Sequence, residues 1–174
     1  SAILIENINP LANLVRVPPK SIALLSDFET KRDKIARYAM NKNVTNLSGV
    51  PSWMLSVLSR LLEITGKQSV DEIWPNLEVF FHGGVAFTPY RSTYEKIIPS
   101  ANMHYMETYN ASEGFFAAQE KPDDDGMTLF TEHGVFYEFM PVEEYGKSDP
   151  QTVGLNNVVL NKNYALVIST TGGL

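Results

Sequence analysis

Two short runs carry residue types that could do chemistry at the spacing they show. The first is Tyr109-Asn110-Ala111-Ser112-Glu113-Gly114. The ring of Tyr109 can cover one face of a nucleobase, and such stacking contributes about 1–3 kcal/mol. Ser112 offers a hydroxyl donor to a phosphate oxygen. Glu113 supplies a hard carboxylate of the kind that Mg²⁺ takes in ones or twos beside substrate phosphates. The second run, His82-Gly83-Gly84-Val85, pairs two glycines that would let the backbone approach a flat ligand closely. On spacing alone the first run is equally an ordinary turn at a strand end, and the second an ordinary tight turn.

The elements that would position these runs follow from the flanking pattern. Leu77–Phe81 is β-rich and halts at His82-Gly83-Gly84, and Met103–Tyr109 delivers the second run. Between them Thr88–Ile98 reads as a helix, with Pro89 at its start and Pro99 after its end. Upstream, Ser26 or Asp27 could cap a helix running to about Asn41, and Val44–Leu47 is a short strand candidate. Pro51 suits the first turn of a helix running to about Thr65, which places Trp53, Met54, Val57, Leu58, Leu61 and Leu62 on one broad face before a stop at Gly66. Val70–Trp74 reads as one helical turn. Pro10, Pro18 and Pro19 punctuate the first twenty residues, which read as extended segments joined by turns.

Strand and helix therefore alternate over residues of about 20–113, the signature of a largely parallel sheet with crossover helices. From there the texture changes. Phe115–Gln119, Met127–Thr131, Val135–Pro141, Val158–Leu160 and Tyr164–Thr170 read as short, mostly antiparallel strands between turn-rich loops. The expected fold is α/β, with a nucleotide-binding layer over 20–113 and an antiparallel portion over 114–174. In open α/β sheets ligands gather past the C-terminal ends of the strands, where both glycine-bearing runs fall.

Composition bounds the function classes. The 174 residues are 44% hydrophobic and 20% charged, ordinary for a folded globular chain. The formal net charge of −6, with a pI near 5.0 and no basic cluster, argues against a nucleic-acid surface, which needs grouped Lys and Arg. No apolar run approaches the roughly 20 residues needed to span a bilayer, so no membrane partner is expected. The absence of cysteine excludes disulfides, thiolate metal sites and cysteine nucleophiles, and is compatible with a cytoplasmic location.

Three segments together carry a family resemblance: Phe80-Phe81-His82-Gly83-Gly84-Val85, Thr108-Tyr109-Asn110-Ala111-Ser112-Glu113-Gly114 and Tyr164-Ala165-Leu166-Val167-Ile168-Ser169-Thr170. With the helix start Val50-Pro51-Ser52-Trp53, they resemble the acyl-acid–amido synthetases, the family of plant auxin-responsive and jasmonate-conjugating enzymes with many bacterial relatives. That family sits within the adenylate-forming superfamily of luciferases and acyl-CoA ligases. The superfamily loop reads Tyr, small residue, any residue, Ser or Thr, Glu, and Tyr109 to Glu113 follows it position for position.

The resemblance implies an ATP- and Mg²⁺-dependent ligase that activates a small-molecule carboxylic acid as an acyl-AMP and passes it to an amino acid. It implies that Gly83, Gly84 and Val85 form one wall of the adenine site and Tyr109 another. Thr108, Asn110, Ala111 and Ser112 would surround the nucleotide and its α-phosphate, with Ser112 and Glu113 catalytic and Glu113 holding Mg²⁺. His104 and Tyr105 would border the acyl substrate. It further implies an internal piece of the large N-terminal domain, inactive alone, because residues 1–80 hold no Ser/Thr/Gly-rich phosphate loop and the mobile C-terminal domain is missing. An acyl-CoA ligase shares the first half-reaction, and a non-catalytic nucleotide-binding module would keep the loop without the chemistry.

Other groups read more plainly. Asp123-Asp124-Asp125-Gly126 resembles part of a calcium loop with Glu132 at the bidentate position, but Lys121 stands where the first ligand belongs and Pro122 follows it, so an acidic hairpin turn is the better reading. His82, His104 and His133 show no metal-ligand spacing and read as strand-end or core-edge residues. Trp53, Met54 and Leu58 read as core.

Overall fold

A computed structural model describes residues 2–122 and 124–171. The chain divides into two compact units, residues 1–128 and 129–174.

In the first unit three short helices, α1 (Ala2–Asn7), α2 (Ala12–Val15) and α3 (Lys20–Ala23), precede the alternating part. The extended conformation expected for the first twenty residues is thus replaced by helical turns. Proline punctuates this stretch without opposing helix, since its missing N–H is harmless at a helix start. Pro19, with φ −65° and ψ 159°, is the N-cap of α3.

Helix α4 (Phe28–Ala39) starts at Asp27, whose carboxylate accepts from the Thr30 backbone N–H at 2.9 Å. Strand β1 (Asn46–Gly49) follows, two residues later than the pattern suggested. Helix α5 (Pro51–Thr65) has Pro51 in its first turn and ends at Gly66, which adopts φ +68°, the left-handed conformation that favours glycine. Residues Val70–Trp74 close a single turn, with the Ile73 and Trp74 N–H groups both donating to the Val70 carbonyl. Then come β2 (Val79–His82), α6 (Thr88–Ile97), β3 (His104–Ala111) and β4 (Gly114–Ala118).

These strands form one sheet with β5 (Thr128–Leu129) at its edge, in the order β1-β2-β3-β4-β5. Strands β1, β2 and β3 are parallel, and β4 returns antiparallel to β3. The register aligns Leu47, Phe80 and Tyr105 across the three parallel strands, and all three are buried. They share one core with Ala36 and Ala39 of α4, Leu58 and Leu61 of α5, and Tyr94 of α6. The connecting helices and one sheet face thereby exclude water together, as βα alternation requires.

Trp53 departs from its expected place in that core. It is 60% exposed and meets Phe28 edge-on with ring centroids 5.0 Å apart. The apolar stripe of α5 is broad: Leu58 and Leu61 are fully buried, Met54 and Leu62 pack partly buried against the same core, and Trp53 lies outside it.

The second unit is a three-stranded antiparallel sheet in the order β7-β6-β8, built from β6 (Val135–Pro141), β7 (Val153–Gly154) and β8 (Tyr164–Thr170). The strand expected at Val158–Leu160 does not form. A 3₁₀ turn covers Leu155–Asn157, and Val159 and Leu160 are exposed. Val153–Gly154 takes the edge beside Phe139 and Glu138 instead, and the 3₁₀ turn follows it directly. The acidic turn closes locally: the Asp124 carboxylate accepts from the Lys121 N–H at 3.0 Å. Asp123 of that turn and Gly172-Gly173-Leu174, which follow the last strand, lie outside the described residues.

Candidate functional site

Parallel neighbours β2 and β3 end side by side, and each hands the chain to one of the two candidate runs. The last registered pair between them is His82 with Glu107. Beyond it β2 turns into Gly83-Gly84-Val85, while β3 continues through Thr108, Tyr109, Asn110 and Ala111.

The second run is the tip of a β-hairpin. Ala111 pairs with Gly114, leaving Ser112 and Glu113 as a two-residue turn between β3 and β4. The register shifts between Tyr109 and Asn110: Tyr109 faces Ala117 but Asn110 faces Phe115, so Phe116 is an extra residue in β4. Such a bulge re-aims side chains and strengthens local twist. Here it sends Phe116 inward, 1% exposed, and sets its ring 5.3 Å from that of Tyr109 at 58°. Tyr109 is supported by Phe116 on one side yet 41% exposed. Gly114 clears room for this arrangement, since a Cβ there would lie 3.1 Å from the Phe116 ring.

The glycine pair has a first use inside the protein. A Cβ on Gly83 would fall 2.2 Å from the Thr108 carbonyl oxygen and 3.0 Å from its hydroxyl. The Thr108 hydroxyl in turn donates to the His82 carbonyl at 3.0 Å. Gly84 adopts φ +81°, open to glycine at no steric cost, and a Cβ there would lie 3.4 Å from a Val50 methyl. Gly83 and Thr108 are therefore in direct contact, and the two runs adjoin. Val85 is 42% exposed beside them.

Beneath the two runs lies a packed aromatic group. The His82 ring stacks on Phe87 at 4.1 Å and 19°, Phe80 stacks on Tyr94 at 5.1 Å, and Phe87 meets Tyr105 at 4.9 Å. His82 is 3% exposed and its Nδ1 has no hydrogen-bond partner. Burial, with help from the Arg91 guanidinium, lowers its pKa to about 4, so the imidazole is neutral near pH 7. Arg91 lies 5.4 Å from the centre of the Phe87 ring and 5.5 Å from that of Tyr105, and pairs with Glu95 at 3.6 Å. No motif in the sequence pointed to Arg91. Its one signal is its place in the first turn of the helix that follows the glycine pair.

His104 and Tyr105 sit apart from this construction. They open β3, and roughly 13 Å of strand separates His104 from Thr108. His104 is exposed, whereas Tyr105 is buried beneath the sheet face, where desolvation and the Glu95 carboxylate push its phenol up to about 12. Both border an open pocket of about 230 Å³ together with Arg91, Glu95, Ser100 and Pro122; neither the glycine pair nor the hairpin reaches it. A broader groove of about 400 Å³ runs along α5 beside Arg32, Ser52, Ser56 and Arg60.

Glu113 and Ser112 are exposed at the hairpin tip. Among the described residues no three His, Asp or Glu side chains cluster as a metal cage. A single exposed carboxylate fits a Mg²⁺ ion that draws its remaining ligands from phosphates and water. His133, the third histidine, stacks on Phe130 in the second unit at 5.2 Å.

Comparison with known proteins agrees with this architecture. The model of the GH3 family N-terminal domain matches residues 1–103, more than half of the chain, and that of the GH3 family central domain matches residues 128–174. The hairpin at 108–114 lies between the two matched segments. A comparison with curated proteins finds no match. Among solved structures, one described as a GH3.15 acyl acid amido synthetase is similar with a TM-score of 0.66 at 18% identity, over 94% of this chain and 38% of that one. At that identity the likeness speaks for the fold, and the present chain spans well under half of that protein's length. The α/β fold with a largely parallel sheet and an appended antiparallel sheet is the one the resemblance implied, and the chain belongs to the GH3 family.

Proposed function

We propose that this chain supplies the adenine and α-phosphate walls of an ATP-dependent acyl-acid–amido synthetase. The observation that carries the reading is the juxtaposition of Gly83-Gly84-Val85 with the Tyr109–Glu113 hairpin at the C-terminal ends of adjacent parallel strands. The family membership and the printed description of the structural neighbour support it.

The roles proposed are those that the family resemblance implies. Tyr109, propped on Phe116, offers a face to the base, and Gly83, Gly84 and Val85 border its other side. Thr108, Asn110, Ala111 and Ser112 surround the nucleotide, with the Ser112 hydroxyl directed to the α-phosphate. Glu113 holds Mg²⁺, which offsets the charge of the phosphates. A carboxylate oxygen of the acid attacks the α-phosphorus; the bond to the bridging oxygen breaks, and pyrophosphate leaves with its electron pair. An amino-acid nitrogen then attacks the acyl carbon of the mixed anhydride, loses a proton, and AMP departs. The residues of this chain contribute position and preorganised charge. His104 and Tyr105 are proposed to border the acyl substrate only if the open pocket beside Arg91 communicates with the site in the complete protein.

The test uses the full-length protein. ATP–pyrophosphate exchange in the presence of a carboxylic acid is expected to need Mg²⁺, and Glu113→Gln is expected to lower it on the order of a hundredfold. Exchange and Mg²⁺ dependence that survive the substitution unchanged would remove the metal role from Glu113. Supplying amino acids in one arm and coenzyme A in another identifies the acceptor: consumption of the acyl-AMP by the thiol alone would make the enzyme an acyl-CoA ligase.

A further inference from the structure

We infer that Thr108 and Gly83 form a clamp that holds the two walls of the site at a fixed separation, with Thr108 acting as a positioning residue through the His82 carbonyl. The inference rests on the nucleotide reading above for its functional consequence, but the clamp itself is a feature of the protein without ligand.

Three observations place it. The registered pairing of β2 and β3 ends at His82 and Glu107, just short of both walls. The next link across that gap comes from a side chain: the Thr108 hydroxyl donates to the His82 carbonyl at 3.0 Å, in a partly buried setting. Gly83 then packs so closely on Thr108 that a Cβ would stand 2.2 Å from its carbonyl oxygen, a separation no side chain can relieve because both parties are backbone. Thr108 is also registered with Ala118 of β4, so the same residue anchors the base of the hairpin that carries Tyr109 and Glu113. Its hydroxyl is thereby committed within the protein, and what it gives a nucleotide is the position of its neighbours. Loss of the hydroxyl frees the glycine run from the hairpin run without emptying a core site, because a valine keeps the shape.

The experiment combines two readouts on the full-length protein carrying Thr108→Val, Thr108→Ser or Gly83→Ala. In the absence of nucleotide, amide hydrogen exchange at Gly84–Val85 and Asn110–Ser112 is expected to quicken about fivefold in Thr108→Val and to return to the parent rate in Thr108→Ser, which keeps the donor. The KM for ATP in pyrophosphate exchange is expected to rise by a similar factor in Thr108→Val, with kcat changed less. Gly83→Ala, which drives a methyl onto the Thr108 carbonyl, is expected to quicken exchange in both segments more strongly. Unchanged exchange in ligand-free Thr108→Val refutes the clamp. A Gly83→Ala protein that loses ATP affinity while the ligand-free hairpin exchanges normally also refutes it, since the glycine would then serve the ligand alone. Quickened exchange in Thr108→Val with an unaltered KM for ATP overturns the positioning role of Thr108, and absence of any ATP–pyrophosphate exchange in the parent protein overturns the nucleotide reading on which that role rests.

Discussion

His82 shows how much one residue's meaning depends on its surroundings. Sequence placed it at a strand end beside the glycine pair, which is where it lies; its burial against Phe87 and its proximity to Arg91 depend on α6 folding back over β2, which no local pattern reveals. Because its folded pKa of about 4 lies below the value of 6.5 it regains on unfolding, the unfolded chain takes up a proton first as the pH falls. Its contribution is therefore fully present above about pH 6.5, declines between 6.5 and 4, and levels off below. The carboxylates held low by their partners, Asp27 by Thr30 and Asp33 by Arg37 and Arg60, act in a lower window, below their ordinary values near 4. Unfolding free energies from urea titrations at pH 7 and pH 5 should differ in the parent protein, and His82→Phe should remove most of that difference, about 2 kcal/mol. An unaltered pH dependence in the variant would assign the acid sensitivity elsewhere. The turn at Ser112-Glu113 was legible for a simpler reason, since a run that leaves a strand and ends on Gly114 reads locally as a strand-end turn. Gly83 was legible as a glycine that matters, but its contact with Thr108 spans 25 positions and emerges only when β2 and β3 lie side by side.

At the scale of elements, boundaries were readable where a single residue enforces them. Asp27 caps α4, and Pro51 and Gly66 bracket α5, each through backbone geometry that is local. The three short N-terminal helices were missed because segments of four to six residues have almost no intrinsic helical stability and form only through packing. The failed strand at Val158–Leu160 is the reverse case, with favourable β-propensity but no place in a ladder where Val153–Gly154 and Tyr164–Thr170 flank Val135–Pro141. Packing between elements has its own test. The Tyr94 hydroxyl of α6 donates to the Pro51 carbonyl at the start of α5 at 2.7 Å, in a fully buried position. Its burial also raises the phenol pKa well above the ordinary value, so the group is a protonated donor near neutral pH. Tyr94→Phe keeps the stack on Phe80 and deletes only this bond, and should cost about 1 kcal/mol and lower Tm by about 2–4 °C. A Tm unchanged within a degree would show that water replaces the bond without loss.

At the scale of the whole molecule, the switch from βα alternation to closely spaced short strands was visible in the sequence, because period and turn density change together. How the sheet is apportioned was not. Strand β4 joins the parallel sheet by hairpin return, and only the strands from Val135 onward build a separate sheet. The burial of apolar side chains is divided just as unequally. Every residue of the main buried cluster lies between Ala36 and Tyr105, while in the second unit Tyr137 alone is buried among the described hydrophobic residues. A three-stranded sheet of that size with so little enclosed surface falls short of what offsets its chain entropy, whereas the first unit holds a complete helix-on-sheet core. Expressed separately, residues 1–128 should therefore show helical circular dichroism and a cooperative thermal transition, and residues 129–174 should show neither a transition nor slowed amide exchange. A cooperative transition in 129–174 would mean that its β6–β8 pairing, seven residues long on each strand, stabilises the sheet without a buried core.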